Sequence, residues 1–478
     1  MLIFKLKKMK KTFLLLLSTI LLFSSSGCNK YLDKLDNPNL VTNPPINGLM
    51  ATATSQTGSD VFRLGNAVSY FNQYLAGNTK GSDADIYNDV DYSTTWSNFY
   101  LTTMMNIQQM NNLAATQNAS YHLGIGQILM ALNLNMLVTT FGDVPYSDSF
   151  QGQDVITPKY DNQEALHATC LQLLDDGIAN LQKTGVTIPV DPASDIIHGG
   201  NIEAWIRTAN GLKARFLNQL SKTPGYNPAA VLEAVGKSYA SNSQDAAVTA
   251  FEGLSPWNSV AVDNVNLNLD GWLSSQFVDA LNGTTFGVVD PRLPKIATIT
   301  KFGDYRGTPN GAGRVGTGTS SEESYLSLEG FYSKKSAPLL ILTFAEEKFI
   351  EAEAAFRSNN RATAYAAYLA GIQAHMDKLG VAEADRMAYL NNPAVAVGAG
   401  ALTLNLIFKE KYVAMFLNPE AWVDARRFDY QYKDFTLPTG AVLNAFIRRL
   451  AYPTIETSRN GANVPVISGL DQRLFWDK

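Results

Sequence analysis

Cysteine and histidine are scarce. The chain of 478 residues holds two cysteines and four histidines. The histidines, His122, His167, His198 and His375, are scattered, and none forms a His-Glu-x-x-His metal motif. With no cysteine pair at ligand spacing, a thiolate zinc site is excluded. Charge is low as well: 17% of residues are charged and the net charge is -5, below the usual quarter. Lys and Arg are dispersed beyond the first residues, which argues against a nucleic-acid partner. A Gly-x-Ser-x-Gly elbow is lacking. Glu347 and Glu351 share a helix face, with Glu353 nearby, but carboxylates on one helix cannot flank a sugar as a glycosidase requires. Gly311-Ala312-Gly313-Arg314-Val315-Gly316 matches a dinucleotide fingerprint, yet Thr308-Pro309-Asn310 precedes it and Thr317-Gly318-Thr319 follows. The strand before and helix after are missing, so a solvated glycine loop is expected instead.

The first residues are different. Lys5, Lys7, Lys8, Lys10 and Lys11 precede an apolar run from Phe13 to Phe23, which ends in Ser24-Ser25-Ser26-Gly27. The run is shorter than the ~20 residues of a membrane span, so it reads as a secretory signal peptide. Cys28 follows at once and looks like a bacterial lipoprotein acceptor, with Ser25 where a larger aliphatic residue is usual. The alternative is ordinary secretion with cleavage near Gly27. The expected organisation is a signal peptide over 1–27, a lipidated N-terminus and tether over 28–58, and one domain over 59–478. If Cys28 is acylated, Cys170 is alone. Its helical, leucine-rich surroundings mark a buried small hydrophobe rather than a nucleophile.

What the chain has in quantity is helical periodicity. Val61, Phe62, Leu64, Val68, Phe71 and Leu75 recur at helical spacing. Residues 92–115 carry a stripe of Trp96, Phe99, Tyr100, Ile107 and Met110. Residues 119–140 are apolar nearly all round and predict a central helix. The segment Asn201 to Leu220 repeats apolar residues at i, i+3 and i+4, with Asn201 as its N-cap. Segments 339–356 and 402–417 read similarly. The pattern predicts a mainly α fold of tetratricopeptide-like helix pairs in a right-handed solenoid, with helical halves over about 59–240 and 339–478. Between them, 241–338 is rich in Gly, Ser, Asn and aromatics. A long irregular stretch with aromatics points to function.

Tyr87, Tyr92, Trp257, Trp272, Tyr305, Tyr325 and Tyr332 lie in polar surroundings. Sugar rings stack their C–H faces on aromatic planes, and sugar hydroxyls suit Asn, Asp and Arg. Such a platform is a saccharide-type site. The candidate ligand-binding residues are therefore Asp83, Tyr87, Tyr92, Trp257, Trp272, Tyr305 and Tyr325. A calcium site from Asp83, Asp85, Asp89 and Asp91 is conceivable, but it lacks the glycine turn and terminal glutamate of a calcium loop.

Several strings occur together and in order. They are Phe141-Gly142-Asp143-Val144-Pro145-Tyr146, Asp195-Ile196-Ile197 with Gly199-Gly200, and Trp205-Ile206-Arg207. Further on come Asp290-Pro291-Arg292-Leu293-Pro294, Asn418-Pro419-Glu420-Ala421-Trp422, Arg448-Arg449-Leu450 and Phe475-Trp476-Asp477. Together with the Cys28 start they resemble the SusD/RagB family of outer-membrane nutrient-binding lipoproteins. Gly211 departs from it, since a serine is more usual there. The resemblance implies a helical scaffold and no catalysis or cofactor. It implies a TonB-dependent (SusC-like) transporter as partner, with membrane contact through the N-terminal lipid at the cell exterior. It implies an oligosaccharide cargo, or in some members a peptide. The strings are mostly scaffold; the family's ligand contacts correspond here to residues near 80–92 and 255–332. A secreted α-helical glycoside hydrolase is the remaining alternative.

Overall fold

Asparagine starts four of the helices. Asn162, Asn201, Asn227 and Asn360 each turn a side-chain oxygen onto backbone N–H groups of the first turn, which satisfies donors that the helix itself cannot. Much of the asparagine that suggests polar contact in the sequence is thus structural. The computed structural model describes residues 44–88, 90–265, 271–318 and 320–478. Cys28 and the signal segment lie outside the described residues, as does Asp89.

The elements run α1 (Ile46–Val68), α2 (Ser93–Ser97), a π-helical turn (Asn98–Met104), α3 (Met105–Gln117), α4 (Ser120–Phe141), α5 (Gln163–Leu181), α6 (Ile202–Gln219) and α7 (Pro228–Gly236). The irregular region contains α8 (Pro256–Val265) and α9 (Ser275–Leu281). Then follow α10 (Phe344–Arg357), α11 (Arg361–Lys378), α12 (Glu383–Leu390), α13 (Leu404–Ala414), α14 (Glu420–Arg427) and α15 (Thr454–Arg459). Each of α3 to α7 packs on the next, and α7 then packs directly on α10, which pairs with α11. The helix pairs stack in series, as in tetratricopeptide solenoids. The irregular region therefore leaves and rejoins the stack without interrupting it. Four short strands staple it down. Leu75–Ala76 pairs antiparallel with Trp272–Leu273, and Ala246–Val248 with Leu339–Leu342.

The expected central helix is α4. Its length and composition would suit a membrane span, but most of it is buried inside the protein. Its buried amides find donors and acceptors on neighbouring elements: Asn133 donates to Thr57 at 2.9 Å, and Asn135 and Gln219 exchange amide bonds at 3.0 and 3.1 Å. Trp205 is buried on α6 and donates to Asp195 at 2.7 Å. The same carboxylate takes the N–H groups of Ile197, His198 and Gly200. One aspartate thus organises the whole Asp195-to-Trp205 string.

The strings at Phe141, Arg448 and Phe475 meet near the C-terminal end of α4. Arg426 donates to the Thr139 carbonyl at 2.6 Å and the Arg448 carbonyl at 2.8 Å. Arg449 donates to the Phe141 carbonyl. Arg448 pairs with Asp477 at 2.6 Å. Deeper in, Arg215 pairs with Glu346 at 2.6 Å, and Arg427 pairs with Glu353 at 2.8 Å and Asp424 at 2.6 Å. Glu347 stands apart. It is fully buried, neither oxygen has a partner among the described residues, and burial, with Glu346 adding to it, pushes its carboxyl up to about 8. Gly211 faces it. A Cβ there would meet Leu342, Ser238 and Glu347 atoms at 2.5–2.7 Å. Cys170 is fully buried, and burial raises its thiol pKa.

Three boundaries differ from expectation. Residues 46–58, read as tether, form the first half of α1; Ile46, Leu49, Met50, Ala53 and Thr57 bury at helical spacing, and interleaved Thr and Ser hide the stripe. Helix α1 ends at Val68, so Phe71 and Leu75 lie in the following turn and strand. Leu339–Leu342 is a strand before α10 rather than its first turn.

Candidate functional site

The irregular region opens a cleft of about 920 Å³. Helix α9 supplies one wall through Ser275 and Asp279, with Asn282 just beyond it. Asp304, Tyr305, Arg306 and Gly307 supply another. Asp290, Pro291 and Leu293 to Lys295 line it as well, and Val381, Ala382 and Asp385 close it from the scaffold side. An adjoining polar cleft of about 190 Å³ shares Ser275, Asp279 and Thr284.

The Asp290-Pro291-Arg292 string is rigid for an electrostatic reason. Arg292 is fully buried, and its guanidinium is held by Asp290 and Glu410, each at 2.5 Å. Glu410 also accepts from Tyr389 at 2.7 Å. The Arg292 side chain reaches His375 at 3.3 Å, and His375 bonds Tyr332 at 2.8 Å. Burial, with Arg292 and Lys378 beside it, lowers the His375 pKa well below the usual imidazole value. A buried pair satisfied this fully resists rearrangement. Tyr332 therefore belongs to this support and not to a binding surface.

The Tyr305 wall is more open. Its ring is half-buried, and its carbonyl accepts from Asn282 at 3.2 Å. Arg306 grips Asp304 through two bonds at 2.8 and 3.0 Å. Bonds from Arg306 and Thr300 hold the Asp304 carboxyl below the usual carboxylate value. Phe302, 54% exposed, lies under the Arg306 guanidinium at 4.3 Å. Asp279 is raised by burial. The cleft thus offers one aromatic face, an exposed ring beside it, and carboxylate, amide, hydroxyl and cationic groups. That set can stack on an apolar ring face and hydrogen-bond its hydroxyls.

The sequence-derived residues separate on burial. Tyr305 lines the cleft. Tyr87, Trp257 and Trp272 do not reach the surface, which corrects the expected platform. Tyr87, at φ 64°, packs edge-on against Phe71 at 6.0 Å. Trp257 packs against Phe62 at 4.9 Å. Trp272 lies beneath the Arg314 guanidinium, 3.3 Å from its ring centroid, with Tyr325 at 5.2 Å. These are large apolar groups, and burying them removes much apolar surface from water in a region without long helices. Tyr325 is half-buried, and half-buried Tyr92 packs against the core before α2. Asp83 is exposed and accepts from Asn88 at 2.9 Å. None of Asp83, Tyr92 and Tyr325 lines the cleft.

The early acidic loop is structural in its other members. Buried Asp85 accepts from the N–H groups of Gly77 and Gly311, both at 2.8 Å. Asp91 accepts from Ser93 and Thr454. No group of His, Cys, Asp or Glu side chains placed to hold a metal ion occurs among the described residues. The glycine string at 311–316 is packed rather than solvated: a Cβ on Gly311 would lie 2.1 Å from the Thr439 carbonyl, and one on Gly313 2.5 Å from the Lys80 nitrogen. Close backbone approach explains both glycines.

Sequence reasoning missed Asp279, Asp304, Arg306, Phe302 and Asp385. The Phe302-to-Gly307 string packs an aromatic pair and opposite charges into six residues, a signal that could have been read. Asp385 had none, since it sits on α12 and reaches the cleft only through the fold.

A family model described as "Starch-binding associating with outer membrane", SusD-like_2, matches residues 37–453. The chain belongs to this SusD-like family. A chitin-binding SusD homologue from Flavobacterium johnsoniae superposes with a TM-score of 0.75 at 21% identity, over 91% of this chain and 97% of its own. A SusD/RagB family protein from Bacteroides thetaiotaomicron gives 0.74 at 20% identity, over 91% and 99%. A further chitin-binding protein gives 0.73 at 21% identity, over 91% and 100%. These likenesses establish the fold. No curated protein matches the chain in sequence.

Proposed function

We propose that this protein is a cell-surface glycan-binding lipoprotein of the outer membrane, anchored through Cys28. It takes an oligosaccharide into the cleft around Tyr305 and delivers it to a TonB-dependent transporter. The observation that carries this reading is the cleft itself: in a SusD-like scaffold, the one long irregular region holds an open cavity of about 920 Å³ with an accessible aromatic and hydrogen-bonding side chains. The chitin-binding structural relatives support a glycan as cargo. Of the four acids lining the cleft, Asp290 is locked to Arg292 and Asp304 to Arg306, while Asp279 and Asp385 are open to hydrogen-bond a ligand, and the SusD-like scaffold supports binding over hydrolysis. The role is binding.

An array of oligosaccharides and peptides probed with the full chain tests the cargo. Saturable oligosaccharide binding without new reducing ends supports the proposal. Peptide binding alone would replace the cargo, and new reducing ends would make the protein a hydrolase. Anchoring is tested by Cys28→Ala. Several acyl chains are needed for stable attachment, so the variant should leave the membrane fraction in cells lacking the transporter. Retention there would exclude Cys28 as the anchor.

A further inference from the structure

A second cleft lies away from the first and shares no lining residue with it. It measures about 260 Å³ and sits between the π-helical turn, the 145–158 loop and α15. Three observations converge on it. The wall contains the π-helical turn Asn98–Met104, a geometry that recurs at functional sites. The opposite wall contains Phe150 at φ 65°, a left-handed conformation strained for a bulky side chain and retained mainly where the surroundings impose it. Its ring stacks on Tyr100 at 6.2 Å and 25°. At the rim, Leu101 and Ile156 are 66% and 79% exposed.

The charges decide what such a cleft can take. Two charged side chains line it, Glu456 and Arg459. Glu456 is occupied: one oxygen accepts from Trp96 at 3.2 Å, the other from Tyr160 at 2.9 Å and Asn460 at 3.3 Å. Asn460 also donates to the Pro158 carbonyl at 2.8 Å. Arg459 is exposed, with no ion-pair or hydrogen-bond partner for its guanidinium among the described residues. Asp148, Asp154 and Lys159 lie on the same loop but do not line the cleft. A sugar would need several convergent hydrogen-bonding groups, and here these are mostly occupied. A flat apolar group with a negative head would find apolar walls inside, from Leu101, Phe150 and Ile156, and one free guanidinium at the mouth. The cavity is smaller than the ~300 Å³ lower bound for drug-sized ligands, which limits the occupant to about one ring.

We propose that this cleft binds a single-ring aromatic carboxylate, with its ring against Phe150, Leu101 and Ile156 and its carboxylate on Arg459. Calorimetry on the full chain with cinnamate and its neutral amide tests this. Cinnamate should bind saturably and at least fivefold more tightly than cinnamamide. Arg459→Gln should abolish that preference and leave the amide affinity unchanged. Phe150→Gly removes a wall while relieving the left-handed backbone, so it should weaken both probes at least fivefold without lowering the melting temperature. Absence of cinnamate binding, equal affinity for the two probes, or full affinity in Phe150→Gly would each overturn the assignment. Glycan binding at the Tyr305 cleft should be unaffected in either variant, so this proposal and the cargo reading can fail separately.

Discussion

The helical scaffold and the irregular region differ most in what they leave outside. In the scaffold, charged groups go inside: Arg215, Glu346, Glu353, Asp424, Arg426 and Arg427 are all buried and matched across helices. In the irregular region, Trp257, Trp272 and the Asp290–Arg292 pair go inside with Leu273, Phe277, Leu293 and Leu326, while several aliphatic and aromatic groups remain outside. Leu254, Val289, Ile299, Phe302 and Val315 are five of the eleven exposed large hydrophobics among the described residues. The scaffold has helix faces enough to form its core and uses ion pairs to fix how helices meet. The loop region has fewer such faces, so its tryptophans join its core. An aromatic in a loop is therefore poor evidence of a ligand, and an exposed apolar side chain beside a cleft is better evidence.

The sharpest test of this contrast compares two tryptophans. Trp205→Ala in the scaffold and Trp272→Ala in the loops should each cost about 3–5 kcal/mol, because both are buried. Trp205→Ala also leaves Asp195 without one of its donors. Thermal denaturation decides: an unchanged midpoint for Trp272→Ala would return that ring to the binding surface.

Glu347 breaks the scaffold's rule of matched charge. Its carboxyl is held at about 8 against an ordinary 4.5, so the folded state retains a proton that the unfolded chain releases. Its contribution is intact below pH ~4.5 and is lost as pH rises through about 8. Glu347→Gln removes that loss and should stabilise by a few kcal/mol at pH 8 and little at pH 4.5, with glycan binding unchanged. A gain independent of pH would show that the carboxyl is ionised at both.

Smaller effects belong to the cleft. Tyr305→Ala should weaken glycan binding at least tenfold, about 1.4 kcal/mol, while its melting temperature stays near the parent's. Calorimetry with the cargo found on the array checks this, and full affinity would move the site from the cleft. Asp83→Ala should change stability by less than ~0.5 kcal/mol, as exposed sites do, and leave affinity unchanged, since Asp83 does not line the cleft. Lost affinity would extend the site to the early loop.

Sequence periodicity by itself determined the scaffold. The all-round apolar α4, the stripe of α6 and the Asn201 cap follow from local rules, because helix geometry repeats every few residues and each cap bonds its own first turn. The ordered strings likewise pointed to the family. Tertiary structure decided the rest. Burial of Tyr87, Trp257 and Trp272 depends on what packs over them from distant parts of the chain, as Arg314 does over Trp272. The cleft combines α9, the 304–307 segment and α12, elements separated by up to about a hundred residues, and no local pattern encodes their meeting. Likewise, the surroundings of Glu347 are set by Gly211, Ser238 and Leu342, which reach the same point from other elements. Periodicity carries information about one face of one element, whereas a site is defined by which faces the fold brings together.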